Sequence, residues 1–152
     1  MVNFYPLEEG NLIPKNAVAA LIKLEGSDYL CQLRSNKKGI FYPNHWGLFG
    51  GAVEKGEDSK VAIQRELEEE LGIRFKNLDY FTEFTFDFSH MNLGTIWRKY
   101  YKVDISESDY DKIILGEGDE FNTFTPKEIL TKNNTVPYDK FAIWLNEKTY
   151  EK

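Results

Sequence analysis

Cysteine and histidine are scarce in this sequence of 152 residues, and basic residues are outnumbered by acidic ones. The single cysteine, Cys31, excludes an intramolecular disulfide, and its apolar neighbours predict a buried strand residue. The two histidines, His45 and His90, lie in loop-like segments without metal-site spacing, so we expect neither to be catalytic. The net charge of −6 argues against non-specific nucleic-acid binding, which needs a basic surface. We therefore expect no DNA partner, although a nucleotide bound through metal ions stays open.

Long apolar runs, repeats and low-complexity tracts are also missing. No apolar stretch approaches the length of a membrane span, and the first ten residues lack the charged-then-apolar pattern of a signal peptide. We therefore expect a cytoplasmic protein without membrane contact. Because no linker interrupts the chain, residues 1–152 are predicted to form a single domain.

Strand-like and helix-like segments alternate along the chain, which favours an α/β or α+β sandwich. The run 17–25 has strand length, but its alanines leave a helix open. Residues 106–111 are predicted to be an acidic loop. The other predicted strands are 29–34, 48–54, 78–89, 95–105 and a short one ending the 113–125 segment, and the other predicted helices are 126–130, capped by Thr125, and 138–150.

The most informative segment is a predicted amphipathic helix that Asp58 or Ser59 begins and Gly72 ends. At about 100° per residue, its residues separate into three sides. Ile63, Leu67 and Leu71 form an apolar stripe, and Glu68 points nearly the other way; the acidic side is formed by Glu66, Glu69 and Glu70.

Three carboxylates at positions i, i+3 and i+4 repel each other unless a cation lies between them. Oxygen-only ligands suit a hard cation such as Mg2+ or Mn2+. The alternative is an ordinary solvated acidic face, which the three glutamates alone do not exclude.

The spacing around this helix is more specific than the acidic face. It reads Gly51, five residues, Glu57, seven residues, Arg65-Glu66-Leu67, one residue, Glu69-Glu70, one residue, Gly72 and Ile73. This matches GX5EX7REUXEEXGU, with U aliphatic, and a chance match is on the order of one in a billion per starting position. The chain resembles the Nudix (MutT-like) hydrolases. The resemblance implies a mixed β-sheet sandwiched between α-helices and a metal-dependent pyrophosphohydrolase.

The resemblance also implies roles for single residues. Metal ligands would be the three helix glutamates, Glu57 as an outer or additional ligand, and the main-chain carbonyl of Gly50. Arg65 would orient a glutamate by ion pairing. Glu66, Arg65 and Glu69 are accordingly predicted to be catalytic.

Many family members add a carboxylate from a loop outside the motif, acting as base or metal ligand. Glu117, between two glycines and before a predicted strand, is our candidate for this role. Asp119 and Glu120 are alternatives, Glu66 can be the base itself, and a solvated loop is equally open.

Candidate substrate contacts lie outside the motif. Arg34 and Arg98 are predicted to meet phosphates, although each alone can be an ordinary solvated charge; Lys37, Lys38 and Lys99 are weaker candidates. Trp46 and Phe49 flank the Gly-Gly pair and are predicted to form either the pocket wall or the core.

The predicted reaction is hydrolysis of the pyrophosphate linkage of a nucleoside diphosphate joined to another group, with water attacking phosphorus. A nucleoside triphosphate or a small nucleotide sugar is the favoured small-molecule substrate. The alternative is a non-catalytic module that senses a nucleotide, and removal of RNA caps is disfavoured by the lack of an evident basic surface. An aromatic-rich surface strand would allow a homodimer.

Overall fold

The computed structural model describes residues 12–37, 39–116, 118 and 120–150, and in them a mixed sheet of seven strands is combined with four helices. The strands are β1 (Ala17–Leu24), β2 (Asp28–Leu33), β3 (Trp46–Gly47), β4 (Phe49–Ala52), β5 (Asp79–Asp87), β6 (Thr95–Ile105) and β7 (Glu120–Phe124). The helices are α1 (Ser59–Leu71), α2 (Glu107–Tyr110), α3 (Pro126–Thr131) and α4 (Pro137–Tyr150). No helix in the described part of the chain is long and apolar enough to cross a membrane.

Strand β1 lies at the centre of the sheet. One edge pairs in parallel with β6 along its whole length, from Ala17–Arg98 to Leu24–Ile105. The other edge is shared, because its first half pairs with β4 and its last two residues pair with β2, both antiparallel. Strand β5 pairs with β6 at one side of the sheet, and β2 also carries β3 and β7. The split beside β1 places the Gly50–Gly51 pair of β4 next to α1.

The two faces of β1 are covered by different helices. Val18, Ala20 and Ile22 pack in one cluster with residues of α1, whereas Ala19 and Leu21 pack in a second cluster with residues of α3 and α4. A strand buried on both faces reads as a continuous apolar run instead of an alternating one. The strand prediction for this run is therefore confirmed and the helix alternative is wrong, as the sandwich architecture requires.

Helix α1 has the ends and the rotational phase that its sequence predicts. The Asp58 carboxylate accepts hydrogen bonds from the backbone N–H groups of Lys60 and Val61, and Gly72 ends the helix at a φ of +68°. Only glycine adopts that left-handed conformation without cost from a Cβ atom. The apolar stripe is fully buried against the sheet, and Glu68 is exposed.

Shortening a side chain of the buried stripe tests this packing. We expect Leu67→Ala, at a position with no exposed surface, to lower the free energy of unfolding by about 2–5 kcal/mol, since it leaves a cavity. Val61→Ala on the same helix is the control, because Val61 is 54% exposed and its loss should change stability by less than about 1 kcal/mol. Urea unfolding of both variants measures the difference. Equal losses would mean that α1 is not docked through Leu67.

Two other local predictions have different outcomes. Cys31 is buried and unpaired as expected, and burial raises the pKa of its thiol far above the ordinary value. The predicted acidic loop at 106–111 is wrong, because it contains α2. A capping box explains the short helix: the Ser106 hydroxyl accepts from the Asp109 N–H, and the Asp109 carboxylate accepts from the Ser106 N–H.

Candidate active site

The three glutamates of the acidic helix face line a cleft of about 1300 Å3. Glu70 is almost fully buried, the Glu66 side chain is 14% exposed, and the Glu69 side chain is 57% exposed. The face thus passes from the protein interior to the open cleft within about one helical turn. Such a gradient gives one firmly held carboxylate and one that can still change its conformation.

The Gly50–Gly51 pair of β4 lies directly against these carboxylates. The Gly50 N–H donates to Glu70 Oε2 at 3.0 Å. A Cβ atom on Gly51 would lie 2.4 Å from the carboxylate carbon of Glu66, and one on Gly50 would lie 2.0 Å from the Val18 carbonyl oxygen. Only glycine therefore fits at position 50, and a side chain at position 51 would displace the Glu66 carboxylate, which is the close backbone approach that the sequence indicates.

Arg65 lies among the glutamates as a bridging cation. Its Nε and Nη2 donate to the two carboxylate oxygens of Glu57 at 2.8 and 2.9 Å, a bidentate pair. Its Nη1 donates to Glu66 at 2.9 Å and to Glu69 at 3.4 Å. These hydrogen bonds raise the pKa of Arg65 further above its ordinary value, chiefly through Glu57. Arg65 therefore fixes the orientation of Glu66 and binds Glu57 at the same time.

Glu57 is tied to Arg65 and to the backbone of its own turn. The hydrogen bonds from Arg65, together with a weaker one from the Glu54 N–H, lower the pKa of Glu57 from 4.5 to about 2. The resemblance assigns Glu57 as an outer or additional metal ligand. In the structure both of its oxygens accept hydrogen bonds from the Arg65 guanidinium.

The Arg65–Glu57 ion pair should make the free energy of unfolding depend on pH below about 4.5. Because the pKa of Glu57 is depressed in the folded state, its contribution is present above about pH 4.5 and is lost as the pH falls towards 2. We expect the stability difference between wild type and Glu57→Gln to shrink over that interval. Urea unfolding at a series of pH values measures it, with the exposed Glu68→Gln as control. A difference that stays constant from pH 6 to pH 2 would contradict the ion pair.

The donor set has the chemistry of a magnesium or manganese site, since carboxylates and a backbone carbonyl are hard oxygen ligands. In the residues that the structure describes, however, no three acidic, histidine or cysteine side chains already converge on one metal position. Arg65 explains this, because its guanidinium occupies the space between Glu57, Glu66 and Glu69. The residues fit the metal by the chemistry of their oxygen donors.

The predicted substrate contacts divide into two groups. Arg34 and Arg98 both line the cleft. Trp46 and Phe49 do not line the cleft. Trp46 is 8% exposed and belongs to the hydrophobic cluster beside α3 and α4. Phe49 is fully buried in the hydrophobic cluster beside α1. Their positions correspond to the core alternative, so we do not carry them forward as substrate contacts.

The predicted loop carboxylate, Glu117, lies outside the described residues, as do Asp119 and Lys38. Gly116 and Gly118 are described, and both line the cleft. The Gly116 N–H donates to the Glu70 carbonyl at 2.8 Å, and a Cβ atom there would lie 2.2 Å from the Glu69 carbonyl oxygen. This contact places Gly116 directly against the part of α1 that carries the acidic face.

Sequence reasoning missed a buried carboxylate that pairs with a residue lining the cleft. Asp139, in the first turn of α4, is buried and pairs with Arg98 at 3.2 Å, while Tyr138 lines the cleft beside Arg98. The only signal in the sequence is an acidic residue shortly after a proline at a helix start, a pattern that usually marks a favourable interaction with the helix dipole.

Comparisons with known proteins agree with this fold. The fold is similar to that of a MutT protein from Methanosarcina mazei Go1, with a TM-score of 0.74, 22% identity, and coverage of 92% of this chain and 98% of that one. The NUDIX domain of Shewanella oneidensis NrtR complexed with ADP ribose has a TM-score of 0.69, 15% identity, and coverage of 97% and 94%.

A nucleoside triphosphatase, NudI of Salmonella arizonae, is 43% identical over 58 residues, which make up 38% of this chain and 40% of that protein. The chain thus spans well under two thirds of the length of this relative. A model of the NUDIX domain matches residues 14–145. Because that match covers most of the sequence, the chain belongs to the Nudix family.

Proposed function

We propose that this protein hydrolyses the pyrophosphate linkage of a nucleoside diphosphate joined to another group, with Mg2+ or Mn2+ as cofactor. One observation carries the proposal: Glu66, Glu69 and Glu70 line the same cleft, and a glycine pair brings the backbone of β4 close to the Glu66 and Glu70 carboxylates. The fragment that matches a nucleoside triphosphatase supports a triphosphate substrate, and a small nucleotide sugar is the alternative.

Within this proposal the residues of the chain bind the metal ion and orient the glutamates that hold it. Arg65 orients Glu66 and leaves Glu69 accessible, and the Gly50 N–H fixes one oxygen of Glu70. The Gly50 carbonyl would be a main-chain ligand. A divalent ion held by these oxygens would neutralise phosphate charge and lower the pKa of a water.

Arg34 is proposed to bind the phosphates. Its Nε donates to the Phe41 carbonyl at 2.7 Å, and in the described part of the chain its two Nη groups have no acceptor. A guanidinium anchored at one edge presents the other edge to an anion. Lys37 lines the same cleft and adds positive charge.

The proton acceptor for the attacking water is proposed to be Glu66 or the loop residue Glu117. Glu66 is held by Arg65 at the cleft surface. Glu117 follows Gly116, which is anchored on the Glu70 carbonyl. Glu120, at the start of β7 and exposed, is the weaker alternative.

A nucleotide panel tests the proposed reaction. Purified protein with Mg2+ is incubated with nucleoside triphosphates, nucleotide sugars and dinucleotides, and the products are separated by ion-exchange chromatography. We expect cleavage of at least one substrate into two fragments that both carry phosphate. A nucleotide that binds but is recovered intact, across the whole panel, would contradict the hydrolase.

That contradicting result would favour the second candidate function, a nucleotide-sensing module. The NUDIX domain complexed with ADP ribose is the observation that keeps it open. The intact set of glutamates favours the enzyme, since a sensor does not need them. A cytoplasmic location and a homodimer remain predictions.

A further inference from the structure

Asp139 is a buried carboxylate whose two oxygens are both engaged. Oδ1 accepts from Arg98 Nη2 at 3.2 Å and from the Tyr100 hydroxyl at 3.0 Å. Oδ2 accepts from the Leu48 N–H at 3.0 Å. The side chain is 3% exposed and is not among the residues that line the cleft. Asp139 can therefore affect substrate binding only through its hydrogen-bond partners.

The first of these groups is the Arg98 guanidinium. Its Nε donates to the Tyr100 hydroxyl at 3.0 Å, and the guanidinium carbon lies 4.6 Å from the centre of the Tyr138 ring. Arg98 and Tyr138 both line the cleft. Among the described residues, no acceptor binds Arg98 Nη1, so this edge remains available to a bound molecule.

The second group is the backbone that leads to the glycine pair. Leu48 is held at its N–H by Asp139 and at its carbonyl by the Gln32 side-chain amide at 3.4 Å. Two residues later, the Gly50 N–H binds Glu70. A Cβ atom on Gly47 would lie only 3.0 Å from Asp139 Oδ2, so the carboxylate and the strand are closely packed. One buried carboxylate thus connects Arg98 with the strand that supports the acidic helix face.

We propose that Asp139 is a positioning residue for substrate binding, which orients Arg98 to donate hydrogen bonds to an acceptor oxygen of the substrate and fixes the Leu48–Gly51 backbone against α1. The inference rests on the proposed function and names a further determinant of the same site. Because the Arg98–Asp139 pair carries no net formal charge, it selects by hydrogen-bond direction more than by charge. The acceptor oxygen belongs to a phosphate or to the base or sugar.

Asp139→Asn tests the positioning role. The asparagine oxygen can still accept from Arg98 and Tyr100, but its amide cannot accept from the Leu48 N–H. We expect KM to rise at least about tenfold with a smaller change in kcat, because the charge that holds Arg98 and the acceptor of the Leu48 N–H are both lost. Glu147→Gln is the matched control on the same helix: it breaks an ion pair with Lys23, away from the cleft, and should leave KM unchanged.

Arg98→Met separates substrate binding from a general loss of folding. It removes the donor and leaves the Asp139–Leu48 hydrogen bond in place. We expect KM to rise as in Asp139→Asn. The KM of the double variant should be no higher than that of either single variant. Equal KM values for Asp139→Asn, Arg98→Met and Glu147→Gln would overturn the proposal, as would fully additive effects.

Hydrogen exchange without ligand distinguishes failure of this inference from failure of the proposed function. We expect the Leu48 amide to exchange slowly in wild type and Arg98→Met, and faster in Asp139→Asn, while amides of α1 stay protected. If wild type cleaves no nucleotide, the hydrolase proposal fails, yet this exchange pattern still supports positioning. Equal Leu48 exchange in all variants overturns it.

Competition with inorganic pyrophosphate identifies the source of the acceptor oxygen. If Asp139→Asn weakens inhibition by pyrophosphate as much as it raises KM, Arg98 contacts a phosphate. If pyrophosphate inhibition is unchanged while inhibition by a nucleoside monophosphate weakens, Arg98 contacts the base or sugar. Either result supports positioning by Asp139, and unchanged inhibition by both compounds contradicts it.

Discussion

Glu66→Gln, Glu69→Gln and Glu70→Gln are each expected to lower kcat by at least about 100-fold, whereas Glu68→Gln should change it by less than about twofold. Glutamine keeps the size and one acceptor oxygen of each side chain but removes the charge that a divalent ion needs. In Glu70→Gln the oxygen can still accept from the Gly50 N–H, so the fold should be retained.

The control, Glu68, lies on the same helix and is exposed. Circular dichroism and urea unfolding of all four variants would show whether an effect on kcat reflects folding. We expect the cleft variants to remain folded, since relief of like-charge repulsion at i, i+3 and i+4 offsets the weakened hydrogen bonds from Arg65 to positions 66 and 69. A Glu68→Gln variant as inactive as the others would mean that the acidic face does not define the active site.

Removal of divalent metal is the second large effect that we expect. Treatment with EDTA should abolish turnover, and addition of Mg2+ or Mn2+ should restore it, because three clustered carboxylates alone repel the phosphates of the substrate. Without substrate, Mg2+ should raise the Tm of wild type, since a ligand that binds only the folded state stabilises it.

Glu69→Gln combined with Glu70→Gln is the matched variant, and it should show a much smaller rise in Tm. Glu68→Gln should respond like wild type. Full turnover in EDTA, after metal analysis has verified that no divalent ion remains, would rule out the metal-dependent hydrolysis that we propose.

The parts of the fold that the sequence predicts are those that short-range patterns determine. Helix α1, its Asp58 cap and its glycine end follow from residues within about four turns of each other. The phase of Leu67 relative to Glu70 follows from helical geometry alone. The run from Ala17 to Leu24 was ambiguous, because burial on two faces removes the alternation that distinguishes a strand.

The parts that the sequence does not predict depend on contacts between distant segments. Arg98 and Asp139 are 41 residues apart and meet only because α4 packs on the sheet beside β6. The burial of Trp46 and Phe49 on opposite faces likewise depends on how β3 and β4 pair with their neighbours. The spacing motif predicts that Arg65 pairs with a glutamate, but it does not reveal that Arg65 contacts Glu57, Glu66 and Glu69 at once.

Cleavage in water labelled with 18O tests the central claim most directly, since it reports the attack of water on phosphorus in one sample. Wild type, Mg2+ and the best substrate of the nucleotide panel are incubated in the labelled water, and the products are analysed by mass spectrometry. We predict one 18O atom in one of the two phosphate-bearing products, and no labelled product above background from Glu70→Gln. Nucleotide recovered intact and unlabelled from wild type, although it binds, would contradict a hydrolase and leave a nucleotide-sensing module.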